Sequence, residues 1–306
     1  MELRPYPHQV GGHSKQGGQP ASLVDEAGRF LKLLQAGERG EREARLYAHV
    51  ERLRFGGGSG GGGIEGGGGW REDYSSGDGG GNAAGGGDSA GGGIGTRCVG
   101  GGVYLALEDA AAGYTAPCVL DAKIGHRTWY PWAAQELMEK YRSKDEGTTQ
   151  SSLGFRLCGV KATRLGGDEW CEDRHWGKAL DESGVVGALR RFTANGALQP
   201  HDVLGPAAAE LRAMAAALEA PAAYHMFSSS VLLLYEGAAQ QPCEARVAVR
   251  LVDFAHAFPA AIAGGGPDAN FRGGLLGLIA ALEAAVLDEG RVSVESMGAG
   301  SRVVTR

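Results

Sequence analysis

The alternation of apolar and polar positions is strongest over residues 117–125, where it has the period of two that marks a β-strand. Cys118, Leu120, Ala122 and Ile124 point to one face and suit a core, while Val119, Asp121 and Lys123 point to the other. Pro117 opens the run without losing a ladder hydrogen bond, and Gly125 lets the chain leave sharply or lets a ligand approach the backbone. An acid and a base two residues apart therefore share one face of an apolar strand. The pair has two readings, a local ion pair at a strand end or part of a site. Further strands are predicted over 29–34, 103–107, 228–236 and 248–256. Helical spacing predicts helices over 41–54, 132–142, 185–192, 206–218 and 268–287. In the first helix Leu46, Val50 and Leu53 share a face, and Glu43 sits in the first turn, where the dipole favours an acid. Residues 25–28 read as a turn, 36–40 as a loop and 289–306 as a weakly ordered tail.

Composition adds one large exception to this globular pattern. Gly makes up 54 of 306 residues, against a usual share of about 7%, and the excess is concentrated in 56–95. A tract of Gly with Ser, Asp and Ala cannot bury enough apolar surface to offset its backbone entropy, so a flexible surface insert is expected there. It contains G-x-G-x-x-G trivially, with no strand before it and no helix after it, and no P-loop pattern occurs in the chain. The net charge of −6 gives no overall case for nucleic-acid or anionic-membrane binding. A polyanion site has to be a local basic patch. Five scattered cysteines, Cys98, Cys118, Cys158, Cys171 and Cys243, form no C-x-x-C, and their odd number fits a reducing compartment. Residues 1–10 lack the apolar core of a signal peptide, and the apolar run 231–235 is far too short to span a bilayer. The expectation is a monomer of the nucleus and cytoplasm with no stable membrane association.

Candidate chemistry lies in a few places. Lys32 sits inside an otherwise apolar strand, so it must snorkel to solvent or meet an anion. A strand lysine facing a helix glutamate, here Lys32 and Glu43, is the arrangement nucleotide kinases use on ATP phosphates; the alternative is a surface coincidence. Asp253 ends an apolar strand and is followed by Phe254, the position kinases use to hold Mg²⁺, although apolar strands ending in Asp are common. Arg127, Lys140, Arg142 and Lys144 form a basic stretch, either a solvated helix end or a cradle for several phosphates. Glu108 and Asp109 make an acidic turn after strand 103–107. His8 with His13, and Cys171 with His175, lack the further ligands a metal needs.

Pro117, Asp121, Lys123 and Gly125 give P-x-x-x-D-x-K-x-G, which resembles the signature of the inositol polyphosphate kinase family. Arg127, Thr128, Trp129, Tyr130 and Pro131 resemble its plant-type multikinases. Segments 30–35, 39–47, 152–160, 228–236, 248–256 and 268–275 resemble further family elements in the same order. The departures are Ala122, where the family often has a larger aliphatic residue, and the Gly-rich insert. The resemblance implies an α+β, two-lobed kinase-like fold with antiparallel sheets, flanking helices and ATP between the lobes. It implies an N-terminal lobe over 1–109 containing the insert 56–95. A C-terminal lobe over 110–306 would carry an inositol-phosphate-binding helical segment near 126–150.

The same resemblance implies roles. Lys32 would contact ATP phosphates with Glu43 orienting it, and backbone groups at Glu108 and Asp109 would read the adenine edge. Asp253 would hold Mg²⁺. Lys123 would sit near the transferred phosphoryl group, and Asp121 would bind the ribose or orient the acceptor hydroxyl. Arg39, Arg127, Lys140, Lys144 and His256 would meet substrate phosphates, and strand 152–160 would serve packing. The implied partners are ATP and inositol polyphosphates. The implied activity converts inositol 1,4,5-trisphosphate to tetrakisphosphate and then to the 1,3,4,5,6-pentakisphosphate, by transfer to the 3 and 6 positions.

Hexakisphosphate kinases and strict trisphosphate 3-kinases share the signature, and the short substrate segment with the run 127–131 favours the multikinase. A non-catalytic signalling or transcription scaffold on this fold has no physical need for Lys32, Asp121, Lys123 and Asp253. A lipid kinase acting on phosphatidylinositol 4,5-bisphosphate would need an open, membrane-facing basic rim. Deleting residues 58–93 is expected to leave turnover nearly unchanged, which a steady-state assay of the shortened chain against the full chain checks.

Overall fold

Two antiparallel sheets of five strands each are laid down one after the other along the chain. They are seen in a computed structural model that describes residues 3–10, 15–16, 19–55 and 95–298. The N-terminal strands are β1 (Arg4–Pro5), β2 (Lys15–Gln16), β3 (Gln19–Pro20), β4 (Ser22–Val24), β5 (Phe30–Leu33), β6 (Gly95–Val99) and β7 (Gly102–Leu107). The first sheet has the order β1-β4-β5-β7-β6, and β2 with β3 forms a separate two-stranded ribbon. The predicted strands 29–34 and 103–107 are therefore β5 and β7, paired through Lys32 and Leu105. The turn 25–28 holds as read: Asp25 accepts from the N–H groups of Ala27 and Arg29 at 3.0 and 2.9 Å. Strand β6 was not foreseen. It takes up Gly95, the last residue of the Gly-rich tract, while 56–94 lie outside the described residues.

The first helix, α1 (Glu38–Phe55), starts three residues before the predicted 41. Gly40 reads as a breaker but is a packing residue: a Cβ there would lie 2.1 Å from the carbonyl oxygen of Gln35. Arg39 is thus helical rather than in a loop, and Glu43 moves from the first turn to the second. Of the predicted stripe, Leu46 is buried and Val50 is 49% exposed; the side chain of Leu53 lies outside the described set.

The second half of the chain adds β8 (Pro117–Ile124), β9 (Phe155–Thr163), β10 (Glu169–Glu172), β11 (Tyr224–Met226), β12 (Ser230–Glu236), β13 (Ala248–Val252) and β14 (Ala257–Pro259). Its helices are α2 (Gln135–Glu146), α3 (Thr149–Leu153), α4 (Arg174–Ala179), α5 (Glu182–Thr193), α6 (Pro200–Ala217) and α7 (Ala269–Gly298). The sheet order is β10-β9-β8-β12-β13 with β8 central, and the whole is the α+β arrangement expected. Cys118, Leu120, Ala122 and Ile124 face a core closed by α5, α6 and α7. On the other face Val119 packs with Ala111 and Leu234.

Several boundaries differ from the sequence pattern for local reasons. Helix α2 runs later than 132–142 because Ala134 is still extended, at φ −55° and ψ 141°. The predicted strand 152–160 begins at Phe155, since α3 occupies 149–153 and Gly154 ends it at φ 77°. Helix α6 starts six residues before 206, where Pro200 needs no N–H donor and Asp202 accepts from the Gln199 N–H at 2.8 Å. Pro206 therefore lies inside the helix. The strand expected over 248–256 stops at Val252.

Helix α7 runs to Gly298, so the segment 289–298 expected to be a weakly ordered tail is helical; 299–306 lie outside the described residues. Its stretch Ala269–Leu287 is long and apolar enough to cross a membrane by length and composition, a run longer than 231–235. Phe271, Leu275, Leu278 and Leu282 are nevertheless fully buried in the protein core.

One irregularity sits at the centre of the second sheet. Asp121 lies opposite Gly159, but Ala122 lies opposite Leu157, so Cys158 is the extra residue of a β-bulge. Beyond the bulge Lys123 faces Arg156 across the strands. Close packing then joins this region to α7, where a Cβ on Gly277 would lie 1.8 Å from the Leu153 carbonyl oxygen. Gly277→Ala is expected to cost about 1–3 kcal/mol through overpacking. Gly205→Ala, on the exposed side of α6 with nothing within 4 Å, should instead stabilise by roughly 0.5–1 kcal/mol. Urea midpoints of the two variants check the contrast.

Candidate active site

Strand β5 carries Lys32 toward the second sheet, where its side chain is 20% exposed and cannot stay unpaired. Its ammonium donates to Glu43 Oε1 of α1 at 2.6 Å and to Asp253 Oδ1 just past β13. Burial works to lower the Lys32 pKa, and the charges of Asp253 and Glu43 overcome it and hold the ammonium well above its usual range. Burial likewise works against the Asp253 carboxylate, but Lys32 and Lys123 pull it down to about 2. Asp253 does not end the strand as the sequence pattern suggested; it lies just past Val252 and turns out of β13 at φ 65°, a conformation Asp tolerates better than most residues. The next N–H, of Phe254, donates to Glu43 Oε1 at 3.2 Å. Glu43 is thus placed by these contacts in the second turn of α1 and not by the helix dipole. Its Oε2 is buried with no partner.

Asp121 and Lys123 stand on the same face of β8, as the alternation requires. They do not form the local ion pair that was one reading: Lys123 Nζ donates to the carbonyl of Ser228 at 2.5 Å. Asp121 is 7% exposed, and its Oδ1 is buried without a partner. Burial pushes its carboxyl up, Lys123 opposes this and Asp253 adds to it, leaving a value of about 6.

Cations collect beside this pair. Lys144 of α2 is half-buried, and burial together with the charges of Arg156, Lys123 and Lys178 pushes it down to about 8. Arg156 is buried, donating to Gln150 Oε1 at 3.1 Å and lying 3.6 Å from Asp145 Oδ1. On the first-sheet side a 460 Å³ hollow is lined by Gln35, Arg39, Arg42 and Tyr130 among others. His256 is buried nearby, with its ring 5.7 Å from that of Tyr130 and its Nδ1 without a partner. Burial and the charges of Arg39, Arg42 and Lys123 push it down to about 4, so it is neutral at physiological pH.

The structure thus brings Lys32, Glu43, Asp121, Lys123, Asp253 and His256 together, with Arg39 and Lys144 flanking them. Lys140 is exposed on α2, and Arg142 pairs with Glu146 at 2.9 Å on the solvent side. Arg127 lies over the rings of Trp129 and Phe227, at 5.2 and 5.9 Å from their centroids, and not against Lys123. Glu108 is exposed at the end of β7, and the Asp109 carboxylate is a turn cap, accepting from the Ala111 N–H at 2.9 Å. Sequence reasoning missed Arg42, Arg156 and Lys178. Arg42 was findable, being one turn from Arg39, whereas Lys178 had no local signal.

Among the described residues no group of three or more His, Cys, Asp or Glu could hold a metal. A nucleotide-bound divalent cation asks for less, one or two carboxylates with phosphate oxygens and water completing the shell. The half-exposed Asp253 and the unpartnered Asp121 Oδ1 fit that donor set. Lys32 and Lys123 add the cations that phosphoryl groups need.

A family profile described as inositol polyphosphate kinase matches residues 104–283. The inositol polyphosphate multikinase IPK2 of Oryza sativa subsp. indica is 35% identical over 301 residues, covering 91% of this chain and 92% of that one. A solved structure from structural and engineering work on inositol phosphate multikinase matches with a TM-score of 0.53 at 34% identity, over 58% of this chain and 84% of that one. The S. cerevisiae inositol phosphate multikinase Ipk2, in complex with ADP and Mn²⁺, matches with a TM-score of 0.52 over 60% and 83%; at 23% identity it speaks for the fold.

Asp121 makes a pH prediction. Its folded pKa of about 6 lies above the ordinary 3.8, so the folded protein holds a proton that the unfolded chain releases. The stability this group allows is complete below about pH 4 and is lost as pH rises through 6. Asp121→Asn should therefore melt above the unaltered protein at pH 7.5 without ligand, with the difference shrinking toward pH 4. Thermal melts across that range check it.

Proposed function

This chain belongs to the inositol polyphosphate kinase family, and we propose that it phosphorylates inositol 1,4,5-trisphosphate through tetrakisphosphate to the 1,3,4,5,6-pentakisphosphate. It is a phosphotransferase of the multikinase type. The observation that carries the proposal is the sharing of Lys32 between Glu43 and Asp253, with Asp121 and Lys123 on β8, two strands from β13 in the same sheet. That charge set suits phosphoryl transfer, where catalysis is mostly positioning and neutralisation. We place the nucleotide between an N-terminal lobe, 1–109, and a C-terminal lobe, 110–306, with its base along the peptide groups from Glu108.

In this proposal Asp253 holds the divalent cation, Mg²⁺, which when bound neutralises charge on the nucleotide phosphates. Lys32 binds the phosphates and Glu43 keeps its ammonium in place. Lys123 stands by the transferred phosphoryl group. Asp121 orients the acceptor hydroxyl and takes its proton; a pKa of about 6 and a free buried oxygen support this over ribose binding. Arg39, Lys144 and a neutral His256 meet substrate phosphates, with Lys140 and Arg127 at the rim of the 126–150 segment.

Lys123→Ala and Asp253→Ala should each lower turnover about 10²–10³-fold or more while leaving a folded protein. Circular dichroism and a coupled ATP assay check both, and wild-type-like turnover in either removes its role. The substrate is tested with MgATP and, separately, inositol trisphosphate, two tetrakisphosphate isomers and hexakisphosphate, with products resolved by isomer. Pentakisphosphate from the trisphosphate is the expected result. A product from hexakisphosphate alone would move the chain to pyrophosphate formation, and arrest at the tetrakisphosphate to a strict 3-kinase.

A further inference from the structure

Residues 3–10 take no part in the site described above, yet they run from one sheet to the other. Leu3 packs with the first-sheet cluster of Leu31 and Tyr104, and Arg4–Pro5 pairs with Leu23–Val24 as β1. Tyr6 meets Phe30 edge to face with ring centroids 4.7 Å apart. Its hydroxyl donates to Asp109 Oδ1 at 2.5 Å, the same oxygen that accepts from the Ala111 N–H. Four residues on, Val10 packs against the cluster of Ala111, Val119 and Leu234, which belongs to the linker and the second sheet. Val119 shares the face of β8 that carries Asp121, and Leu234 lies directly across from it in β12. The far end of the linker is held separately. Glu236 of β12 accepts from the N–H groups of Thr115 and Ala116 at 2.6 and 2.9 Å.

The linker 108–116 is therefore held along its length. Glu236 takes the N–H groups at its end, Arg246 donates to the Gly113 carbonyl and its own carbonyl accepts from the Tyr114 hydroxyl in the middle, and a tyrosine hydroxyl from the N-terminal segment reaches its start. Without the tyrosine hydroxyl, Asp109 would keep its own turn, in which its carboxylate accepts from the Ala111 N–H and its carbonyl from the Ala112 N–H. Among the described residues nothing from the first-sheet side would then fix that turn, and a base binding along these peptide groups would have to order them first. Holding them beforehand lowers that cost. We propose that residues 6–10 are a strap across the two sheets that fixes the linker for the nucleotide base, with Tyr6 as a positioning residue acting through Asp109. The proposal rests on nucleotide binding at the linker, as argued above, and adds a segment to it that the charge set does not require.

Tyr6→Phe removes the hydroxyl and keeps the ring against Phe30. Titration calorimetry of the full chain with ATP and with inorganic tripolyphosphate, which lacks the base, reads the effect. Loss of one hydrogen bond should weaken ATP about fivefold, with tripolyphosphate affinity within about twofold of the unaltered protein. In turnover, KM for ATP should rise by the same factor with kcat within about twofold. Asp109→Asn, which keeps an acceptor oxygen, should retain most of the affinity. Asp109→Ala, which also removes the Ala111 contact, should weaken ATP at least as much as Tyr6→Phe, and adding Tyr6→Phe to it should change nothing further. Unchanged ATP affinity in Tyr6→Phe, or equal weakening of ATP and tripolyphosphate, or a fall in kcat in step with KM, overturns the strap. Failure of the unaltered chain to bind ATP at all would instead remove the nucleotide reading, and the strap's role with it.

Discussion

A charge taken out of water has to be neutralised where it lies, and in this protein the ammonium of Lys32 is the charge around which the rest is arranged. Its two carboxylate partners come from α1 and from the turn after β13, so one interaction joins the first sheet, the helix that follows it and the edge of the second sheet. Each partner is constrained in return. Asp253 leaves its strand in a left-handed conformation, and Glu43 spends the same oxygen on the Phe254 N–H. Lys32 is held charged, and Asp253 is held ionised well below the usual carboxylate range, so neither partner titrates near neutral pH.

The neighbouring cations are arranged the opposite way. Lys123 is bound to a carbonyl, not an acid, and Lys144 is pushed down by three other positive groups as well as by burial. Arg156 spends its charge on Asp145, and His256 stays neutral, which spares the cluster one more positive charge. In a chain of net charge −6 this local excess works against folding. Local rules are broken in this way where a ligand completes the balance.

Much of this was legible in the sequence because it rested on short-range pattern. The strand 117–124 announced itself by alternation with Pro and Gly at its ends, and Lys32 stood out as a charge inside an apolar run. What failed was punctuation whose meaning depends on distant packing. Gly40 suggested a loop but fits under the Gln35 carbonyl, and Pro206 suggested a helix start although Pro200 supplies it. The triad partner of Lys32 lies 221 residues away, and no local feature distinguishes Asp253 from any aspartate at a strand end. Resemblance to a family, and not periodicity, singled it out. Arg156 and Lys178 escaped for the same reason: the fold alone brings their charges to bear on Lys144.

The bulge at Cys158 has a consequence for how the chain can change in length. Because one residue of β9 is unpaired, Leu157 and Phe155 face the core while Arg156 stands opposite Lys123; on the other side of the bulge the alternation is offset by one. That unpaired residue is slack in the strand. Loss of Cys158 alone would close the ladder in the register it already has, with Gly159 opposite Asp121, Leu157 opposite Ala122 and Arg156 still opposite Lys123. A residue added on either side of it finds no such slack and would act in space as a frameshift acts in a gene, turning a run of alternating side chains to the wrong face.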